Sequence, residues 1–281
     1  MSDSDVPILT GEAFAASLDA VEENGALIQH LTNEVTMNDV ANVTLYWGAL
    51  PVMADSPEEA PEMAEAAGGV LINMGRSTEA DVRAMKAAGQ RANELGVPVV
   101  FDPVGVGSTP TRNRIAGELL DLIEFTAIKG NYGEIAALAG EEATVKGVES
   151  IGDYETIGAT ARALAEATGS TVIASGVEDV VADREAAYTV EAGHEMMGTF
   201  VGTGCMLGGT IASFASAIDD PLTAGLHGTL AFGIAGERAA KMEYNGPASY
   251  RTNFLDAVAG LDSESAATLD VDKRVSLSAS E

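Results

Sequence analysis

The sequence predicts an α/β protein whose mostly parallel sheet is covered by helices on both faces. Two observations carry this. Apolar runs of four to six residues sit inside "GGVLINMG" (68–75), "VPVVFDPVG" (97–105), "FTAIKGN" (125–131) and "TVIASG" (171–176), and they alternate with longer stretches of helical periodicity. Strands that are apolar throughout, rather than at every second residue, are strands buried on both faces, as in a parallel sheet between helical layers. The length, 281 residues of which 46% are hydrophobic, supplies one large core.

The elements follow in order. A helix is expected over 77–96, capped by Ser77 or Thr78 and closed by Gly96. Further helices fit 111–123, 134–140 and 154–169, and 178–193 reads as a hairpin turning near Asp183 and Arg184. Helices then dominate to about residue 260. No linker or repeat divides the chain, so a single domain is expected over 1–261. The tail 262–281, with its serines and acids and little periodicity, is expected to be poorly ordered or to lie as an arm on the surface.

Composition narrows the functional classes. The chain has 43 acidic and 15 basic residues, a formal charge of −28, spread along its length. Such a field repels nucleic acid and anionic membranes, and it matches proteins from salt-loving cells, where high salt screens the repulsion. No apolar run is long enough to span a membrane, and the acidic start lacks the pattern of a secretory signal, so a cytoplasmic location is expected. The lone Cys205 permits neither an internal disulfide nor a cysteine cage. His30, His194 and His227 lack zinc spacing and read as surface or partly buried polar residues.

In a sheet of this kind ligands bind beyond the carboxyl ends of the strands. The candidate loops follow residues 74, 101, 129 and 175, and one more precedes Cys205. In "MGTFVGTGCMLGGTIASF" (197–214), Met206, Leu207, Ile211 and Phe214 recur at helical spacing, so a helix should begin near Thr203 with Cys205 in its first turn. Free N–H groups and the positive dipole end make that an anion site, and the same field should favour the thiolate. A small packed cysteine is the competing reading. A P-loop is excluded because no Gly-Lys-Ser/Thr follows, and Leu207 breaks a dinucleotide fingerprint.

Asp102 in "FDPVGVGS" ends a strand, where it could hold magnesium or cap a turn, and Arg112 could offset phosphate charge. In "IKGNYGEI" Asn131 and Glu134 have the spacing of a capping box, while a sharper reading makes Glu134 a second magnesium carboxylate with Lys129 facing phosphate. In "TNEVTMNDVANVTLYWGALPVMA" (32–54), Asn33, Asn38, Asn42 and Met53 could line a pocket for a small apolar ligand with one polar end.

These segments together resemble the hydroxyethylthiazole kinases of thiamine salvage, within the ribokinase-like superfamily. "TNEVTMNDVAN", "GALPVMA", "LINMG", "PVVFDPVGVGSTPTR", "KGNYGEI", "KGVES", "ASGVED", "GTGCMLGGTIASF", "FGIAGERAA" and "GPASYRTNFLDA" occur in the family's order, from near residue 10 to residue 260. The resemblance implies transfer of the γ-phosphate of ATP, with magnesium, to the hydroxyl of 5-(2-hydroxyethyl)-4-methylthiazole. It implies substrate contacts from Met53, Gly202 and Asn33, nucleotide contacts from Lys129 and Ser175, and metal carboxylates at Asp102 and Glu134. Cys205 takes the place where other ribokinase-like kinases put an aspartate base, to accept the alcohol proton or hold the hydroxyl in line, above an anion hole of Gly202, Thr203 and Gly204. A homotrimer with sites between subunits is also implied. Lys129 departs from the family's usual arginine, and Tyr132 and Gly133 stand where smaller Ala/Ser-type residues are usual. The alternatives are a kinase for hydroxymethylpyrimidine or another small alcohol, an ADP- or ATP-dependent nicotinamide-hydrate lyase of the same fold, or a non-catalytic binding module.

Overall fold

The computed structural model describes residues 9–140, 145–146, 149–150 and 157–278. Its first half alternates strand and helix: α1 (Gly11–Asn24), β1 (Leu27–Leu31), α2 (Met37–Tyr46), β2 (Leu50–Val52), α3 (Glu59–Ala64), β3 (Gly69–Asn73), α4 (Glu79–Leu95), β4 (Val99–Asp102), α5 (Pro110–Leu120), β5 (Ala127–Asn131) and α6 (Tyr132–Leu138). A two-stranded ribbon, β6 (Val145–Lys146) and β7 (Glu149–Ser150), precedes α7 (Ile157–Thr168). Then come β8 (Thr171–Ser175), the hairpin β9 (Asp179–Ala182) and β10 (Ala187–Val190), and the helices α8 (Thr203–Ala215), α9 (Pro221–Lys241) and α10 (Pro247–Ala259). The chain closes with α11 (Ser263–Ala267) and β11 (Val275–Leu277).

Nine strands form one sheet in the order β11-β10-β9-β8-β5-β4-β3-β1-β2. The six strands from β8 to β2 are parallel, and β9, β10 and β11 add an antiparallel edge. Alternation along the strands feeds two cores. Leu71, Val100, Ala127 and Ile173 pack under α1, α2, α8, α9 and α10, whereas Ile72, Phe101, Ile128 and Val172 pack against α3 to α7. The parallel α/β fold read from the apolar runs is therefore the observed one.

The local signals mostly hold. Thr78 caps α4 through a reciprocal box with Asp81, and Gly96 ends it in the left-handed region at φ 70°. Strands β9 and β10 meet at a turn where Asp183 Oδ1 accepts from the N–H groups of Glu185 and Ala186. The start of the helix expected at 154 lies outside the described residues, as do residues 147–148 of "KGVES" and the last three residues of the tail.

The tail up to Ser278 departs from expectation. Residues 262–278 carry α11 and β11, and β11 pairs antiparallel with β10 in the register Val190↔Val275. Pairing covers the open edge of β10, and Val271 and Val275 are buried, so the segment completes the sheet. Two histidines depart as well: His30 and His227 lie in the core, hydrogen-bonded to Thr44 and Ser17. Burial lowers their pKa values to about 3 and about 4, which keeps both neutral.

Candidate active site

Strands β1, β3, β4, β5 and β8 all end on one side of the sheet, and α8 begins above them. Gly202 precedes α8 with φ 105°, a left-handed conformation that favours glycine. The first helical bond runs from Met206 N–H to the Gly202 carbonyl, so the N–H groups of Thr203, Gly204 and Cys205 precede it and Gly202 has no side chain to cap them. Thr203 turns its hydroxyl away, onto the Met197 carbonyl at 2.7 Å.

Beneath this helix start lies a buried ion pair. Lys129 Nζ is 3.3 Å from Asp102 Oδ1, and a Cβ on Gly204 would stand only 3.1 Å from the same ammonium. Gly204 thus lets the helix backbone settle over the lysine, which brings two positive groups to one small space. Burial, reinforced by Glu134 and opposed by Lys129, pushes Asp102 up to about 6. Burial pulls Lys129 down, but Asp102, Glu134 and Cys205 outweigh it and hold the ammonium above its usual range.

Asn73, at the end of β3, ties the carboxylate to the thiol. Its Nδ2 donates to Asp102 Oδ2 at 2.6 Å and to Cys205 Sγ at 3.3 Å. Its Oδ1 accepts from Asn33 Nδ2 and from the Gly75 N–H. Asn33 Nδ2 also donates to Cys205 Sγ, at 3.5 Å, while Asn33 Oδ1 accepts from the N–H groups of Val35 and Thr36. The sulfur therefore receives two amide donors. Burial and the Asp102 carboxylate push the thiol up, against Lys129 and the Asn73 hydrogen bond, which is the opposite direction to the depressed thiol pKa expected at a helix start.

Glu134 takes the capping role that its spacing from Asn131 predicted. With Asn131 it forms the capping box of α6, its Oε2 accepting from the Asn131 N–H, and its Oε1 accepts from the Gly105 N–H at 2.7 Å. It thus pins the loop after β4 next to Asp102. Among the described residues no cluster of three or more His, Cys, Asp or Glu could cage a metal. Two neighbouring buried carboxylates still suit magnesium, which commonly takes one or two protein carboxylates and completes its shell with phosphate oxygens and water.

The remaining expectations divide. Ser175 ends β8 beside Asn131, with Oγ donating to the Gly130 carbonyl. Met53 follows edge strand β2 and is half-buried. Asn38 and Asn42 bond each other on the exposed side of α2, and Trp47 is core, donating to Thr210. Arg112 braces the loops after β3 and β4 through the carbonyls of Met74, Val104 and Gly75, which commits three of its five N–H donors to the backbone. Sequence reasoning quoted "LINMG" but gave Asn73 no role; a lone amide at the end of an apolar strand was the signal for it.

The fold and this site define a ribokinase-like α/β phosphotransferase. A ribokinase-like superfamily protein from Enterococcus faecalis shares the fold, with a TM-score of 0.61 at 13% identity. A sequence model of the hydroxyethylthiazole kinase family matches residues 18–264. Hydroxyethylthiazole kinases from Haloquadratum walsbyi and Natronomonas pharaonis are 50% and 51% identical to the chain, covering 95% and 93% of it and 93% and 94% of themselves. The structure of a hydroxyethylthiazole kinase protein from Pyrococcus horikoshii superposes with a TM-score of 0.82 at 35% identity, over 94% of this chain and 98% of that one. The chain belongs to the hydroxyethylthiazole kinase family. It is an enzyme, and its activity is the family's: phosphorylation of the hydroxyethylthiazole alcohol in thiamine salvage.

Proposed function

We propose that the α8 start, Lys129 and Cys205 together carry out this transfer, with ATP as phosphoryl donor. The observation that carries the reading is the Lys129–Asp102 pair lying directly beneath Gly204, beside the thiol. Phosphoryl transfer asks mainly for positioning and charge neutralisation. The alcohol oxygen forms the new P–O bond while the bond from the γ-phosphorus to the β,γ-bridging oxygen breaks and ADP departs; the alcohol proton leaves late, onto an oxygen of the transferred phosphoryl group and from there to solvent. The N–H groups of 203–205 and the Lys129 ammonium face the charge that gathers on the transferring oxygens. Magnesium, held by Asp102 and Glu134, would neutralise charge on the ATP phosphates. Ser175 lies on the nucleotide side, while Gly202, Asn33 and Met53 shape the thiazole side.

The raised thiol pKa favours Cys205 as the group that holds the alcohol oxygen in line over Cys205 as a thiolate base. A homotrimer with shared sites accords with the exposed apolar side chains Leu45, Tyr46 and Leu50 at the end of α2 and in edge strand β2. A cytoplasmic setting accords with one free cysteine and with the absence, among the described residues, of any helix long and apolar enough to cross a membrane.

The test is ADP release dependent on the thiazole alcohol, run with magnesium in high salt. Thiazole-dependent turnover is expected. Turnover with hydroxymethylpyrimidine alone, or dehydration of a hydrated nicotinamide nucleotide, would replace this substrate by one of the alternatives.

A further inference from the structure

The two amides nearest the thiol are saturated. Both hydrogens of Asn73 Nδ2 and both of Asn33 Nδ2 are spent, and each side-chain oxygen already accepts twice. Neither residue has a donor left for an incoming alcohol. Thr36 differs. It sits at the N-cap of α2, where a threonine hydroxyl normally accepts from the first turn, yet it makes no such bond. Its backbone explains why: with φ −119° and ψ −2° it lacks the extended geometry of a capping residue. The segment's N–H groups at 35 and 36 are served by Asn33 Oδ1 instead.

Thr36 Oγ1 is consequently a buried hydroxyl without a well-formed hydrogen bond, in a residue only 4% exposed. Its methyl Cγ2 lies 3.0 Å from where a Cβ on Gly202 would be, so the side chain is seated against the α8 start. The hydroxyl's polar neighbour is Cys205 Sγ, which it approaches closely enough to lower the thiol pKa but not in the geometry of a full hydrogen bond. A buried hydroxyl left unbonded destabilises a fold, and here it borders the thiol and the anion site.

We infer that Thr36 Oγ1 is a substrate-positioning group, which with Cys205 Sγ brackets the oxygen of the acceptor alcohol and aims it at the phosphoryl group. The inference rests on the thiazole alcohol being the substrate. It makes the poorly filled hydrogen-bonding capacity of Thr36, whose polar neighbour is the thiol, a place kept for that oxygen.

The test pairs Thr36→Val with Thr36→Ser, because valine keeps the shape and the methyl contact with Gly202 while removing only the hydroxyl. In Thr36→Val, kcat/KM for the thiazole alcohol should fall about five- to tenfold, the worth of one neutral hydrogen bond. KM for ATP should stay put, and the melting temperature should hold or rise, since an unbonded buried hydroxyl has gone. Thr36→Ser should keep most of the activity. A merely structural hydroxyl would give Thr36→Val wild-type kinetics, or losses that follow the melting temperature and affect ATP equally; either result overturns the inference. If the wild type itself shows no thiazole-dependent turnover, the substrate reading falls and this role for Thr36 with it. If the wild type is active and Thr36→Val matches it, only the role of Thr36 falls.

Discussion

Lys129 Nζ and Asp102 Oδ1 form an ion pair 3.3 Å apart, with the two side chains 4% and 1% exposed. Desolvating both charges is costly, and the pair holds because each is the other's partner. Replacing Lys129 by methionine keeps the stem and removes the charge, leaving Asp102 buried and unpaired. Lys129→Met should lose about 3–5 kcal/mol of stability, read by denaturant unfolding. It should also lose about 10²-fold in kcat, the scale of removing one preorganised charge stabiliser. A variant with normal kcat would place the ammonium outside the transfer path.

Cys205 receives two amide N–H donors, which favour the thiolate, but burial and the Asp102 carboxylate outweigh them and hold the thiol pKa above its usual value. If it positions the alcohol, a serine should substitute and an alanine should not. Cys205→Ala should lower kcat about tenfold or more while thermal unfolding stays intact, and Cys205→Ser should retain a substantial fraction. A rise of kcat toward pH 9 in the wild type that disappears in Cys205→Ser would restore the thiolate base.

The parallel strands were legible because burial on both faces writes them as unbroken apolar runs, and Thr78, Gly96 and Asn131 announced their caps. Strand β1, "LIQHL", was not, because Gln29 and His30 interrupt it. Those polar residues are bonded inside the core, Gln29 to the carbonyls of Ala54 and Ala60 and His30 to Thr44, partners that no local pattern reveals. Asp102, Lys129, Glu134 and Cys205 were readable as candidates from their places at element ends. Asn73 and Thr36 were not, since their importance lies in bonds made or left unmade across 132 and 169 residues of chain.

The pairing of the tail was not legible because edge pairing uses backbone groups and leaves a weak side-chain pattern. Ser276 and Leu277 are exposed while Val275 is buried, and Arg274 pairs with Glu237 of α9. A Cβ on Gly11 would stand 2.4 Å from the Ala267 carbonyl, so α1 and α11 meet at the backbone. A chain ending at residue 261 would bare both β10 and α1. It should express mostly as aggregate or unfold well below the full-length protein in a thermal melt; an equal melting temperature would return the tail to the status of a loose arm.

His30 gives a stability difference with a defined sign. Its folded pKa, about 3, lies below its unfolded value of 6.5, so the unfolded chain binds more protons between those limits. Stability from keeping His30 neutral is complete above pH 6.5 and falls as pH drops toward 3. Between pH 7 and pH 5 the loss is about 2 kcal/mol. Asp102 and Asp179, raised to about 6, act in the opposite direction over the same interval. The difference between variants isolates the histidine. His30→Gln can keep a bond to Thr44 without titrating, and it should lose about 2 kcal/mol less than wild type over this interval in urea unfolding. Parallel losses would mean that His30 protonates without opening the core.

The charge of −28 supplies the last expectation. Several of the few cations are spent in exposed pairs, such as Arg76–Glu34 and Arg91–Glu65, which contribute little each. The unpaired carboxylates repel one another over distances that depend on the Debye length, about 10 Å at 0.1 M salt and about 3 Å at 1 M. If repulsion limits stability, the melting temperature should climb steeply between those concentrations and then flatten, because screening saturates once the length falls below the spacing of neighbouring carboxylates. Sucrose at equal osmolality separates this from solute exclusion, since it strengthens burial without screening charge. A salt-specific rise ties the acidity to a saline interior. Equal rises in salt and sucrose would assign the effect to exclusion, and a flat response to salt would leave the acidity without a role in stability.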